Sequence, residues 1–426
     1  MNILIINQTF YPDVAATAQQ AHDLAAFLTQ RGHGVRVVTS RSIYGKAGAV
    51  LPKRETADGI SIYRVGFSLF GKAGIFLRIL DFALFYLLAS LRALTLPRAD
   101  VVITLTTPPY IGLLGWAIRL LRGSRWVYWL MDLYPDVLIA AGTMKPASPL
   151  HPPLNLIGRF LLRRADAVVV LGRCMHGRVL AKNISAKHVH IISVWADTDE
   201  IRPIAAGTSS YRTEWNLQNK FVIMYSGNLG LGHDAETLFS AAQQLKDHPT
   251  IRFVFVGGGK KAEALRLFIA QHNLSNITQY PYQPREKLGS LLACADVHLV
   301  SLGSEVTGLV VPSKMFGILA AARPVIFVGS NDSEIARIIN EANCGYVVAN
   351  GDSAGLASLI AQLPARSDLA AMGSRGRKAL DELYSRRHGC EKWEKLLTQI
   401  VAQRPRQTFS ATENSEGHRV PTKDKT

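Results

Sequence analysis

Two series of short, nearly uninterrupted aliphatic runs constrain the fold more than any other feature of this chain. The first half holds NILII (2–6), VRVVT (35–39), ISIYRV (60–65), DVVIT (100–104), WVYWL (126–130), DAVVVL (166–171) and HVHII (188–192). The second half holds FVIMYS (221–226), IRFVFV (251–256), ITQYP (277–281), DVHLV (296–300), PVIFV (324–328) and GYVV (345–348). Runs without polar alternation suit strands buried on both faces. Helical segments separate them, for example 17–31, 234–246, 260–272, 284–293, 313–322, 332–341 and 365–383. That alternation predicts parallel sheets covered by helices on both sides. Two such series in 426 residues exceed one hydrophobic core. The expected fold class is therefore α/β, with two doubly wound Rossmann-like domains facing across a cleft.

The expected domains are 1–200 and 201–385, joined by the turn-rich stretch 193–219. A long helix over 386–403 is expected to return to the N-terminal domain. The polar tail 404–426 is expected to be disordered. Cys174, Cys294, Cys344 and Cys390 lie far apart without C-x-x-C spacing, which argues against a disulfide framework or a zinc site. Cys174 and Cys294 read as packing residues. MNILIINQTF lacks the basic and apolar regions of a signal peptide, so a cytoplasmic location is expected.

The formal net charge is +16, and the excess leans toward the N-terminal half. Across 70–130 the bases Lys72, Arg78, Arg92, Arg98, Arg119, Arg122 and Arg125 face only the acids Asp81 and Asp100. Phe70, Phe76, Phe82, Phe85, Tyr86, Trp116, Trp126 and Trp129 interleave with them. The apolar stretch FALFYLLASL is about half of what a transmembrane helix needs. A basic, aromatic helix of this kind suits an anionic membrane surface, and it equally suits a core helix of the first domain. No helix-turn-helix, zinc-finger or RNA-recognition signature accompanies the charge, so nucleic acid is not the expected partner.

In an open α/β sheet, ligands bind beyond the carboxyl ends of the strands. Three stretches fall there in the second half. YSGNLGLGHDAETL places Gly227, Asn228, Gly230, Gly232, His233 and Asp234 after one strand, with Asp234 able to cap the next helix. The spacing is neither the dinucleotide-binding nor the Walker A pattern. FVFVGGGKKAEAL places Gly257, Gly258, Gly259, Lys260 and Lys261 after the next. In SLGSEVTGLVVPSKMFGILAAARPVIF, Pro312 and Ser313 stand at a helix start, with Ser313 a natural N-cap. Lys314 in the first turn runs against the helix dipole, a conflict that a bound diphosphate would resolve. The alternative is a surface lysine.

These pieces in this order resemble the retaining glycosyltransferases of family 4, with the two-Rossmann GT-B architecture. The likeness is greatest to bacterial members that build capsule, colanic-acid-type exopolysaccharide and O-antigen. INQTFYPDVAATAQQAHDLAAFLTQRGHGVRVVT and WLMDLYPD carry the resemblance in the first domain. Three departures stand out. Val14, Ala15 and Ala16 replace a Gly-Gly. Asn228 and His233 replace a basic pair. Leu309 and Gly317 occupy the Glu-x7-Glu positions, with Glu305 a substitute for the first glutamate. The resemblance implies a nucleotide-diphosphate sugar, UDP- or GDP-linked, on the second domain and a saccharide acceptor on the first, lipid-linked at the inner membrane. It implies no metal or other cofactor. The expected donor-site residues are Gly227, Asn228, Gly230, Gly257, Gly259, Lys260, Pro312, Ser313 and Lys314. The expected catalytic residues are Asp132, His233, Lys314 and Glu305, with Asp132 orienting the acceptor or acting as a cap. A nucleotide-sugar epimerase and a non-catalytic scaffold of polysaccharide assembly are the competing readings.

Overall fold

A computed structural model describes residues 1–43, 46–66 and 75–403. The N-terminal lobe is built on β1 (Asn2–Ile6), β2 (Gly34–Ser40), the hairpin β3 (Ser42–Ile43) and β4 (Lys46–Val50), β5 (Arg54–Ala57), β6 (Ile60–Val65), β7 (Val101–Thr104), β8 (Arg125–Trp129), β9 (Ala167–Val170) and β10 (Val189–Ile191). Its eight-stranded sheet runs β10-β9-β8-β7-β1-β2-β6-β5. Every pairing is parallel except β5 with β6. The sequence RETA at β5 is polar and half-exposed, so no hydrophobic signal marks this antiparallel edge. Its helices are α1 (Ala16–Gln30), α2 (Ile75–Thr95), α3 (Gly112–Arg122), α4 (Asp136–Ala140), α5 (His151–Arg164) and α6 (Arg173–Leu180).

In the C-terminal lobe, α7 (Ser210–Glu214) precedes β11 (Phe221–Ser226), β12 (Ile251–Val256), β13 (Ile277–Tyr280), β14 (Val297–Ser301), β15 (Val325–Val328) and β16 (Gly345–Val348). The sheet is wholly parallel, in the order β13-β12-β11-β14-β15-β16. Around it lie α8 (Glu236–Gln244), α9 (Ala262–His272), α10 (Leu288–Cys294), α11 (Lys314–Ala320), α12 (Glu334–Ala342), α13 (Ser353–Gln362) and α14 (Leu369–Ala379). The aliphatic strands are buried on both faces because helices cover both, which is why they read as continuous runs. The helix expected over 365–383 ends as α14, followed by a π-turn over Leu380–Tyr384.

The stretch 206–217 is not a free linker. Tyr211, Arg212 and Leu217 are buried against the C-terminal lobe, Ser209 Oγ donates to Ser290 O at 2.7 Å, and Arg212 pairs with Asp296 at 2.6 Å. A few anchoring side chains do what a hydrophobic run would otherwise do. The last helix, α15 (Arg386–Ala402), returns to the N-terminal lobe, where fully buried Trp393 packs on Trp129 at 4.6 Å between ring centroids. Truncating such a core tryptophan costs about 3–5 kcal/mol. The tail 404–426 lies outside the described residues, as do Phe70 and Lys72.

Candidate functional site

The loops after β11 and β12 interlock. Gly227 N–H donates to Val256 O at 2.8 Å, Leu229 N–H to Gly258 O at 2.7 Å, and Lys261 N–H to Leu229 O at 3.0 Å. Gly257 and Gly259 both have φ +127°, and a Cβ on either would stand 2.4 Å from a carbonyl oxygen, of Gly227 and Leu229 respectively. The sequence suggested that these glycines admit a ligand. The close approach is instead loop against loop, and it holds the 225–233 turn rigid. Gly230 is not in the left-handed region, and a Cβ there would meet the Asn228 amide at 3.0 Å and the His233 ring at 3.9 Å.

Lys314 opens α11 and turns inward to this turn. Its Nζ lies 3.6 Å from the Tyr225 ring centroid and 3.4 Å from Asn228 O, and a Cβ on Gly227 would touch its Cε at 3.4 Å. Tyr225 Oη donates to the same Asn228 carbonyl at 3.0 Å, while the Asn228 side chain is exposed. Among the described residues no carboxylate pairs with Lys314. Burial without an acid pushes its ammonium well below the ordinary lysine range. Lys314 is thus a cation held in place by a ring face and a carbonyl, with no acid against it.

His233 lies beside it. Nδ1 donates to Ser301 O at 2.6 Å, which leaves Nε2 an acceptor. Burial first, then the Lys314 charge, pushes the imidazole down to about 4, so the ring is neutral near pH 7. Asp234 accepts from Thr237 N–H at 3.0 Å and from Asn350 at 2.9 Å. A carboxylate therefore takes one of the free N–H groups at the start of α8. Lys260 is exposed, and the neighbouring Lys261 is the lysine that folds back, onto His233 O at 2.8 Å and Glu236 at 3.0 Å. Lys260 is thus corrected from the expected cradle, because the turn at 257–261 directs it to solvent.

The loop after β14 approaches from the other side. Glu305 is exposed, in a single turn over Ser304–Val306. Pro312 is buried. Ser313 stands at the cap position of α11 with helical angles and makes no side-chain capping bond, contrary to the expectation for a serine there. Leu309 is buried, and a Cβ on Gly317 would meet Leu292 and Ile201 at ordinary contact distances. A glutamate at either position would face packed apolar side chains.

From the N-terminal lobe, Asp132 lies just beyond β8. Its N–H donates to Thr106 Oγ1 at 3.3 Å, and it caps no helix. Burial pushes its carboxyl up to about 6. The next residue crosses the cleft, Leu133 N–H donating to Leu309 O at 3.0 Å. One strand over, Glu334 of the C-terminal lobe accepts from Arg173 N–H at 2.7 Å and Arg173 Nε at 3.0 Å, and Cys174 Sγ donates to Asp332 O at 2.8 Å. Cys174 is therefore an inter-lobe contact and not a core residue. Sequence reasoning missed Arg173 and Glu334: a serine cap followed by an acid, Ser333-Glu334, reads as an ordinary exposed helix start. Among the described residues no three His, Cys, Asp or Glu side chains gather as a metal-holding group.

Two family descriptions match the lobes in turn: the glycosyl transferase 4-like domain over residues 16–195, and the glycosyl transferases group 1 over residues 209–379. The chain belongs to the GT-B glycosyltransferases of family 4. This glycosyltransferase is 28% identical over 306 residues to a Pseudomonas aeruginosa protein named glycosyltransferase WbjE, covering 72% of this chain and 76% of the relative. It is 26% identical over 353 residues to a colanic acid biosynthesis glycosyl transferase, WcaI, of Escherichia coli strain K12, covering 79% and 86%. The crystal structure of Anabaena HepE in complex with UDP-glucose superposes with a TM-score of 0.71 at 14% identity, over 94% of this glycosyltransferase and 100% of HepE.

Proposed function

We propose that this glycosyltransferase moves a sugar from a UDP- or GDP-sugar to a lipid-linked saccharide, with retention of configuration, in assembly of a surface polysaccharide. The observation that carries the reading is Lys314, an acid-free lysine held against the mouth of the 225–233 turn. A leaving diphosphate supplies the negative charge this cation lacks, and charge developing on it in the transition state is stabilised where the donor is already in place. Neutral His233 presents an acceptor nitrogen to a donor hydroxyl. In a front-face transfer the departing diphosphate takes the acceptor's proton, so Asp132 has only to orient the attacking hydroxyl. No metal is required by this scheme. The UDP-glucose bound by HepE and the colanic acid role in the name of WcaI support the donor and product classes.

A membrane-facing surface over residues 70–130 fits the lipid-linked acceptor. No helix among the described residues is long and apolar enough to cross a membrane. Yet α2 turns Leu80, Leu87, Leu91 and Leu94 to solvent, with Leu87 59% exposed, and α3 adds Leu120 and Leu121. The opposite stripe of α2, Phe85, Ala89 and Ala93, is buried on the sheet, so one helix has a core face and a separate exposed apolar face. Arg122 and Arg98 sit between the two helices, donating to Leu94 O and Gly123 O. Such a basic-rimmed apolar face suits anionic lipid, at about 1 kcal/mol per arginine near the surface.

The test is transfer of radiolabelled sugar from UDP- and GDP-sugars to a lipid extract of bacterial membranes, with the product anomer read by NMR, and co-sedimentation with phosphatidylglycerol vesicles. Transfer with retention and low-salt vesicle binding, lost in Leu87→Glu/Leu91→Glu/Leu120→Glu, support the reading. Turnover of the nucleotide sugar without acceptor to an epimer, or no nucleotide binding at all, defeats it.

A further inference from the structure

Glu334 is an acid of one lobe whose bonds serve the other. Its residue is only 6% exposed, and its own helix does not need it, because Ser333 Oγ already accepts from Ala336 N–H at 3.2 Å. Its carboxylate instead receives the first N–H of α6 and the Arg173 guanidinium, at 2.7 and 3.0 Å. Arg173 reaches on to Glu341, 2.5 Å away on the next turns of α12.

Missing side chains on both sides let the surfaces meet. A Cβ on Gly172 would lie 2.7 Å from Glu334 Cγ. Gly308, at φ +77°, rests against Arg178 and the Cys174 carbonyl, where a Cβ would stand 3.0 and 3.1 Å away. Gly172 follows β9 and Glu334 follows β15, while Gly308 belongs to the loop after β14. The same loop after β14 also meets the loop after β8, the strand beside β9, through Leu133 N–H and Leu309 O at 3.0 Å. The two sheets are thus held in a fixed register, loop against loop. Asp132 adjoins one end of that register and the segment leading to Lys314 adjoins the other.

We propose that Arg173 and Glu334 are positioning residues for sugar transfer: their ion pair, in which the Glu334 carboxylate is buried and the Arg173 side chain half-buried, fixes the lobe register in which Asp132 adjoins the 302–314 segment. The inference rests on the assignment of the donor to the Lys314 crevice. Removing the arginine fork leaves the buried Glu334 carboxylate uncompensated, and removing the carboxylate frees the α6 N–H and the guanidinium; either is relieved if the lobes part and water enters. Loss of the pair therefore widens the range of lobe orientations without touching the donor loops, which lie wholly in the C-terminal lobe.

The experiment compares Glu334→Gln, Arg173→Lys and Glu341→Gln with the unaltered enzyme by small-angle scattering, by calorimetric titration with UDP and GDP, and by steady-state transfer. Glu334→Gln is expected to raise the radius of gyration and to lower kcat at least tenfold. Donor KM and nucleotide Kd stay within twofold. Arg173→Lys, which keeps the charge but not the fork, falls between. Glu341→Gln changes everything less than twofold, since that acid is 57% exposed. A merely structural pair would lower the melting temperature and leave kcat per folded molecule unchanged. That result overturns the proposal, as does a parallel loss of kcat and nucleotide affinity. If the unaltered enzyme binds neither nucleotide, the donor assignment fails, while the scattering comparison still decides whether the pair holds the lobes.

Discussion

Replacing Lys314 with methionine separates stability from binding. The methionine keeps most of the apolar stem and removes the charge. In the folded chain the ammonium titrates well below the ordinary lysine range because it is buried with no acid. The unfolded chain therefore binds that proton more tightly than the folded one. The sign follows: the charged lysine costs the ligand-free fold stability at neutral pH, and the cost fades as pH rises toward the unfolded value near 10.4. Against this stands the cation–π contact at 3.6 Å, which contributes about 0.5–2 kcal/mol. The bond to Asn228 O, at 3.4 Å, is too long to add much. The ligand-free variant is expected to melt within about 1 kcal/mol of the parent, on either side.

The bound state differs. UDP or GDP at 100 times its Kd adds about 2.7 kcal/mol, a shift of roughly 5–11 °C at about 2–4 °C per kcal/mol for the C-terminal lobe melting as a unit. A charge-assisted contact to the diphosphate is worth about 1.5–3 kcal/mol. Its loss brings the same nucleotide concentration to about 0.6–8 times Kd, where stabilisation falls to about 0.3–1.3 kcal/mol and the shift to roughly 1–5 °C. The assay is a thermal melt with and without nucleotide, alongside initial rates, which are expected to fall about 10²–10³-fold. A ligand-free melt several degrees lower, with the nucleotide shift retained, would show that Lys314 is a packing residue and refute the reasoning.

Two further outcomes follow from the geometry. The Asp132 carboxyl, pushed up to about 6 by burial, is ionised only above that pH, so the rate should fall on the acid side with a midpoint near 6. His233, near 4, is already neutral there and cannot supply that limb. Asp132→Asn should abolish the limb and lower kcat. Because the folded pKa is raised, the fold loses stability as pH climbs from about 4 to 6. The asparagine variant should accordingly melt no lower than the parent at pH 8. Gly257→Ala places a Cβ 2.4 Å from Gly227 O at φ +127° and is expected to cost about 2 kcal/mol or more in a denaturant melt. Gly230→Ala presses on the flexible Asn228 amide and touches the His233 ring at an ordinary contact distance, and should stay within about 1 kcal/mol.

Much of the architecture is legible because it rests on one strong signal. Runs such as FVIMYS, IRFVFV and GYVV are strands with the bounds read from the sequence, since an apolar run of strand length between turn formers is a strong signal even where Arg252 interrupts it or, as in GYVV, the strand is only half-buried. What escaped lacks such a signal. Strand β5 is polar, and the 206–217 segment is anchored by three scattered side chains. Site details were harder, because they depend on direction and not on residue type. Lys260 and Lys261 are adjacent and alike, yet the interlocked glycine turns send one to solvent and the other onto Glu236. Ser313 and Asp234 are equally good capping residues, and only Asp234 caps, because Ser313 adopts helical angles. Arg173 and Glu334 lie in different lobes, and no sequence pattern joins them.

The most direct measurement is a crystal structure of the enzyme soaked with UDP or GDP. The account predicts a diphosphate oxygen at about 2.7–3.1 Å from Lys314 Nζ, in the crevice between the 225–233 turn and the 302–314 segment. A nucleotide seated elsewhere, with Lys314 still resting on Tyr225 and touching no phosphate, would contradict it.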